Sequence, residues 1–442
     1  MHVYPSDPGK VCVIGAGPSG LAAVKALTDA GVALECFEKG DRVGGNWVFR
    51  NTNGLSSAYR SLHINTSKKR SQFSDFPMPE DYPDYPRHDL MAKYFESFAL
   101  AFGLMRVIQF NTSVKRVDRI PGGSWRVTLS NGEVREYRAV VVANGHHWDP
   151  RYPDPPPEGT FNGVTFHSHH YVDPLEPHDL RDKNVVVVGI GNSAVDIACE
   201  LSHAGNAHRV FLSTRRGAYV LPKYLLGKPI DAGLSLPDWL PQKRLIATRL
   251  FEALVGKMED FGLPRPDHRL LEAHPTVSSE LLTRLGSGDV TPKPAIRRYL
   301  GHQVEFLDGT QEPIDAVIYC TGYRVSFPFF DPDLVSAPNN ELSLFHRVFH
   351  PEHPGLFFVG LCQPLGAIFP LAEVQSRWIA EYLNADYALP SKESMLAQLE
   401  RDRIALKKRY VRSARHTLQV DVERYLRAVE KERKSGRKRA KQ

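Results

Sequence analysis

The 442-residue sequence predicts an α/β protein of two parallel-sheet domains, one inserted in the other. Three observations carry this. A strand, a glycine turn, a helix and a second strand follow one another in residues 10–39. The same order recurs from residue 184. Pro-rich stretches at 152–157 and 327–332 flank the second unit, as chain crossings between domains do.

In the first unit a short apolar run, Val11–Ile14, reads as a buried parallel strand. Gly15-Ala16-Gly17-Pro18-Ser19-Gly20 follows at once, then apolar residues at helical spacing (Leu21, Val24, Leu27) up to Gly31. A second strand, 33–37, ends in Glu38. Gly15 permits the tight turn, Gly17 admits a pyrophosphate to the backbone, and Gly20 lets helix and strand pack closely. The free N–H groups of the helix N-terminus face the phosphates. Glu38 is placed to accept hydrogen bonds from ribose hydroxyls. Such a unit binds a dinucleotide in a Rossmann-like domain.

The second unit has its strand at 185–188, its turn at Gly189-Ile190-Gly191-Asn192-Ser193-Ala194, and its next strand at 210–212. Ala194 is tolerated where the third glycine stands. Asp196, in the helix that follows, is a further candidate for cofactor contact. No acid occupies the position matching Glu38. Ser213-Thr214-Arg215-Arg216 stands there, and a guanidinium binds a 2′-phosphate that a carboxylate would repel. The site therefore reads as NADPH-selective, with Arg215 as the functional arginine and Arg216 as a solvated turn residue. Two dinucleotide sites in one chain imply an electron path, most economically with FAD in the first and NADPH in the second.

Composition adds boundaries. With 42% hydrophobic and 24% charged residues the chain is ordinary for a globular protein, and no run approaches 18 consecutive apolar residues. The first ten residues lack a signal-peptide pattern, so a cytoplasmic protein without a transmembrane segment is expected. None of the five cysteines lies in a C-x-x-C pair, which signals neither a redox dithiol nor a zinc site. Residues 431–442 hold seven Lys and Arg against one acid, a net +6 that equals the whole chain's formal charge. They read as a solvated, disordered terminus, and no nucleic-acid partner is expected. Residues 392–431 read as a packing helix.

Between the two units the sequence becomes specific. Phe161-Asn162-Gly163 through His167 to Tyr171 resembles the F-x-G-x-x-x-H-x-x-x-[YF] fingerprint of flavin-containing monooxygenases. Gly44-Gly45-Asn46-Trp47 is similar to that family's G-G-x-W segment. Asn65-Thr66-Ser67-Lys68, with Phe73-Ser74-Asp75-Phe76-Pro77, resembles its N-T-S-K…F-S-D-F-P stretch. Cys320-Thr321-Gly322-Tyr323, His274-Pro275-Thr276-Val277 and the block from Gly360 to Pro370 are similar to further family segments, in the family's order.

The resemblance implies a glutathione-reductase-like arrangement: an FAD-binding domain from 1–170 and 325–442, the latter carrying a C-terminal helix and the basic tail, and an inserted NADPH-binding domain from 171–324. It implies that NADPH reduces FAD, that the reduced flavin captures O₂ as a C4a-hydroperoxide, and that an amine nitrogen or a sulfur takes the distal oxygen. Asn65 then matches the residue near the flavin that hydrogen-bonds the peroxide and the nicotinamide ribose, a role an amide fills without taking up charge. Ile64, Thr66, Gly45, Asn46 and Trp47 are expected at the flavin, and Gln375 is a weaker flavin candidate. Tyr219 has two readings, a substrate gate beside the nicotinamide or an ordinary packed aromatic. His167 reads as part of a linker or hinge, and the histidines at 146–147 and 167–170 lack the spaced partners of a metal site.

Two departures stand out. Val172 occupies a position that is usually basic, and the chain ends in Lys and Arg where microsomal members continue into an apolar tail. Rival readings are Baeyer–Villiger oxidation of ketones, whose fingerprint carries Trp where Tyr171 stands, an NADPH-dependent flavin reductase or diaphorase, and a binding protein with a vestigial cofactor. A homodimer is the default oligomer.

Overall fold

Runs such as VCVI, AVVV and NVVVV suit parallel strands covered on both faces, and each forms one. The computed structural model describes residues 9–233, 242–409 and 417–442. The sequence of 223–300 reads as the loops that would set a substrate pocket, and part of that stretch, 234–241, lies outside the described residues. The chain divides into two units, Met1–Ser56 with Lys68–Asp149 and Arg324–Gln442, and Ser57–Ser67 with Pro150–Tyr323.

The first unit is built on a five-stranded sheet in the order Leu356–Phe358, Ala139–Val142, Val11–Ile14, Leu34–Phe37, Ile108–Gln109, parallel throughout. Val11–Ile14 is central, and strand order reverses beside it, which puts the first glycine turn at the ligand end of the sheet. The helix Pro18–Asp29 packs along Phe369–Leu383. A three-stranded antiparallel sheet, Val114–Arg119, Trp125–Leu129 and Val134–Tyr137, adds Trp125 to a buried cluster that also holds Phe327, Phe329, Phe330 and Phe358. The stretch 327–332 is therefore no exposed linker. Its three phenylalanines are buried, and the Val117 N–H donates to the Phe329 carbonyl at 2.7 Å.

The second unit repeats the plan, with parallel order Val164–His167, Ala316–Tyr319, Asn184–Val188, Arg209–Ser213, Val290–Lys293. The fingerprint thus supplies an edge strand, Val164–His167, and this is why the unit starts at Pro150 and not at residue 171. His167 is a buried member of that strand and not a hinge residue.

The basic terminus is not disordered. Asp421 caps a helix, Val422–Arg439, by accepting from the Arg424 N–H. Arg433 and Arg437 both reach Glu381 at 2.5 Å, and Gly436 lies against the ring of Tyr387. The charges that suggested a free tail are partly spent on holding it in place. Among the described residues no helix is long and apolar enough to cross a membrane.

Candidate functional site

The first cradle is a close-packed backbone. Gly15 has φ 98°, and a Cβ there would stand 2.8 Å from the Ala143 carbonyl oxygen. A Cβ at Gly20 would stand 1.9 Å from the Gly15 oxygen, so helix and turn touch through bare backbone. Gly45, at φ 55°, faces Gly17, with 2.9 Å from its would-be Cβ to the Gly17 Cα. Gly45–Trp47 is one 3-10 turn seated on the cradle, and the Gly44 N–H donates to the Ala16 carbonyl at 3.0 Å. The helix starting at Pro18 has no side-chain cap, which leaves its first N–H groups for a ligand. Glu38 is buried and accepts from the N–H groups of Ala16 at 2.8 Å and Gly40 at 2.7 Å. A carboxylate offers about four lone-pair positions, so acceptor capacity remains for ribose hydroxyls.

Gln375 does not belong to this ligand surface. It is fully buried; its Oε1 accepts from the Gly360 N–H at 2.9 Å and its Nε2 donates to the Tyr425 hydroxyl at 2.7 Å. Both polar ends are spent inside the protein. Its effect on the cradle is indirect, because Gly360 lies against Ser19, where a Cβ would come within 2.0 Å of Oγ.

The second cradle follows the same logic. Gly189 has φ 133°, with the Cys320 carbonyl 2.7 Å from a would-be Cβ, and the helix Asn192–Leu201 has Gly191 as an uncapped N-cap. Asn192 Oδ1 accepts from the Val277 N–H at 2.8 Å, and the Thr276 hydroxyl donates to the Ile190 carbonyl, so the His274–Val277 segment braces the turn. After the strand Arg209–Ser213, Arg216 is held by Asp267 at 2.6 Å. Arg215 is exposed and has no carboxylate partner among the described residues. Uncapped helices, bare glycine turns, Glu38 in one unit and an unpaired arginine in the other form a donor set that suits FAD and NADPH respectively.

Asp196 does not point at the turn as a free ligand group. Burial raises its carboxyl to about 6 against a hydrogen bond from Tyr59 that lowers it, at 2.5 Å from the Tyr59 hydroxyl. Glu200, four residues on, is likewise raised by burial and accepts from Tyr171 at 2.7 Å. These partners were missed in the sequence, although the i, i+4 spacing of two acids on a buried helix face was a signal.

Asn65 lies half-buried in the segment 57–67, which belongs to the second unit, and its amide makes no hydrogen bond among the described residues. Ile64 is buried and Thr66 half-buried beside it. In the first unit, Ser74 binds Glu373 through its N–H and Oγ, both at 2.9 Å, so the F-S-D-F-P stretch is tied to the helix Phe369–Leu383. Tyr219 is 6% exposed, with its ring edge-on to Phe251 and His268. Burial lowers His167 to about 4, so at neutral pH it is an uncharged packing group between Tyr152 and Tyr323. Burial also pushes the Cys320 thiol up to about 12, far from a reactive thiolate.

Comparison with known proteins agrees with this geometry. The sequence model of one family, described as flavin-binding monooxygenase-like, matches residues 8–435. The chain is 39% identical over 434 residues to Flavin-containing monooxygenase 5 of Rattus norvegicus, covering 93% of this chain and 80% of the relative. It is 39% identical over 414 residues to Dimethylaniline monooxygenase [N-oxide-forming] 2 of the same species, with coverages of 88% and 76%. The solved S-allyl-L-cysteine S-oxygenase of Allium sativum superposes with a TM-score of 0.72 at 26% identity, covering 96% of this chain and 88% of that one.

Proposed function

The chain belongs to the flavin-binding monooxygenase-like family, and from that membership we propose that it transfers one oxygen atom of O₂ to a nitrogen or sulfur of a small molecule. It is a flavin-dependent monooxygenase whose cofactors are FAD and NADPH. The observation that carries the reading is the pair of uncapped glycine-turn helices, one followed by the buried Glu38 and the other by the unpaired Arg215. FAD, when bound, supplies the electron storage and oxygen activation that no side chain offers.

The protein's own residues bind, orient and exclude water. Gly15, Gly17, Gly20 and Gly45 admit the FAD pyrophosphate, and Glu38 accepts from its ribose. Gly189 and Gly191 do the same for NADPH, whose 2′-phosphate Arg215 takes. Asn65 offers an amide that donates and accepts without protonating, to the nicotinamide ribose and the oxygen in transfer. We assign the FAD site to the first unit and the NADPH site to the second. Five cysteines free of disulfides support a reducing, cytoplasmic setting.

The substrate class rests on two relatives, one named as N-oxide-forming and one as an S-oxygenase. Tyr171, in place of the Trp of ketone-oxidising fingerprints, supports the same choice. The test is a competition between a tertiary amine, a thioether and a cyclic ketone of similar size, with NADPH in excess. N-oxide and sulfoxide should form at least about tenfold faster than lactone, a difference of about 1.4 kcal/mol in activation free energy. Lactone as the main product would replace this reading with ketone oxygenation.

A further inference from the structure

Three sequence motifs of the second unit, and a segment that follows its cradle, converge on one short segment, 57–67. From the helix of the second cradle, Asp196 takes the Tyr59 hydroxyl at 2.5 Å, and Glu200 takes both the Tyr171 hydroxyl and the Ser61 side chain. From the end of the fingerprint, the Val172 carbonyl accepts from the Arg60 N–H at 2.8 Å, and Asp173 pairs with the Arg60 guanidinium at 2.8 Å. Tyr171 also packs edge-on against Tyr59, with ring centroids 6.2 Å apart. From the C-T-G-Y block, Tyr323 hydrogen-bonds Ser57. From the segment after the second cradle, Asp231 accepts from the Ser67 N–H at 2.6 Å.

Two acids one helical turn apart on a buried face repel each other and cost stability, unless donors are aimed at them. Tyr59 and Tyr171 are those donors. One of them brings in the segment that carries Asn65, six residues further on.

We infer that Tyr59, through Asp196, is a positioning residue that fastens the 57–67 segment to the second cradle helix, so that nucleotide bound at that helix fixes the setting of Asn65. The helix start receives the pyrophosphate, and its second turn holds Tyr59. A ligand that orders the helix therefore orders the segment as well, without touching it. The consequence for Asn65 rests on the role proposed for it above, whereas the fastening itself does not.

The test is amide hydrogen exchange on the full-length, FAD-loaded protein with and without NADP⁺, in wild type and Tyr59→Phe. The variant keeps the ring and removes only the hydroxyl. Peptides covering 57–67 should exchange at least about fivefold more slowly with NADP⁺ in the wild type, and Tyr59→Phe should abolish most of that protection while leaving residues 15–38 unchanged. Asp231→Ala, which releases the Ser67 N–H from the other end, should weaken it too and serves if Tyr59→Phe does not fold.

Alongside, the fraction of NADPH consumed that yields oxygenated product is measured for Tyr59→Phe, Asn65→Ala and the double variant. Both single variants should lose coupling, and the double variant should be no worse than Asn65→Ala, as expected when one residue acts through the other. Protection of 57–67 that is absent in the wild type, or that survives in a folded Tyr59→Phe, overturns the fastening, as does its survival in Asp231→Ala should Tyr59→Phe not fold, even where Asn65→Ala is uncoupled. If Asn65→Ala stays coupled while protection depends on Tyr59, the fastening stands and the role given to Asn65 falls.

Discussion

Asp267 holds Arg216 through two hydrogen bonds, 2.9 Å to Nε and 2.6 Å to Nη2, and leaves the adjacent Arg215 exposed. One arginine of the pair is neutralised within the protein; the other is available to a phosphate.

Arg215→Ala should therefore raise KM for NADPH about 10- to 100-fold, the equivalent of a charge-assisted contact of about 1.5–3 kcal/mol, and leave KM for NADH within about twofold. Arg216→Ala should change either by less than about threefold. Steady-state kinetics with both nucleotides decides it. An unchanged NADPH preference in Arg215→Ala would remove that residue from the site.

Gly360 has φ 75° and no room for a Cβ beside Ser19. Gly360→Ala combines left-handed strain of about 1–2 kcal/mol with a push on the first cradle. Purified protein should keep its far-UV circular dichroism and bind FAD at least about tenfold more weakly, read from the flavin absorbance retained after gel filtration. Full retention of flavin would mean that the Gly360–Ser19 contact yields without disturbing the cradle.

The C-terminal helix allows a test by sign. In a solvated helix, replacing Gly436 by Ala would stabilise by roughly 1 kcal/mol. Here a Cβ would meet the Tyr387 ring at 1.8 Å, so Gly436→Ala should instead destabilise by about 1–3 kcal/mol through overpacking. Urea denaturation at pH 7 measures the difference. A stabilised variant would return the terminus to the solvated state that its charge suggested.

Asp196 makes the fold pH-sensitive between its unfolded and folded carboxyl values, in the mildly acidic range. Burial raises its folded carboxyl to about 6, with Tyr59 and Lys223 working against that shift and Glu200 and Glu280 adding to it. The group binds its proton more tightly folded than unfolded, so its contribution is complete below the unfolded value of about 3.9 and is lost as pH rises through about 6. Asp196→Asn keeps an acceptor for Tyr59 and never ionises. Denaturation between pH 4.5 and 7.5 should show the wild type losing up to about 2–3 kcal/mol relative to the variant. Parallel curves would mean that the carboxyl titrates normally.

What could be read from the sequence was local. Each cradle is a run of about 30 residues whose turn, helix and strands lie next to one another, so Gly15, Gly20, Glu38 and Gly189 could be assigned physical tasks directly. What could not be read was long-range pairing. Gln375 resembled a flavin contact until Gly360 and Tyr425 took its amide, and the latter lies 50 residues away. The tail looked free because Glu381 and Tyr387, which hold it, are ordinary residues more than 40 positions earlier. Asn65 was singled out through its motif, yet nothing in a single sequence ties residues 57–67 to a helix that starts at Asn192.

The central claim, transfer of one atom of O₂ at the expense of NADPH, is tested most directly by isotope. The FAD-loaded protein is given NADPH, ¹⁸O₂ and methyl phenyl sulfide, and the sulfoxide is analysed by mass spectrometry against NADPH consumed. The account predicts one ¹⁸O per sulfoxide and close to one sulfoxide per NADPH. NADPH consumption that yields only hydrogen peroxide, with no labelled sulfoxide, would contradict it and leave a flavin reductase or oxidase in its place.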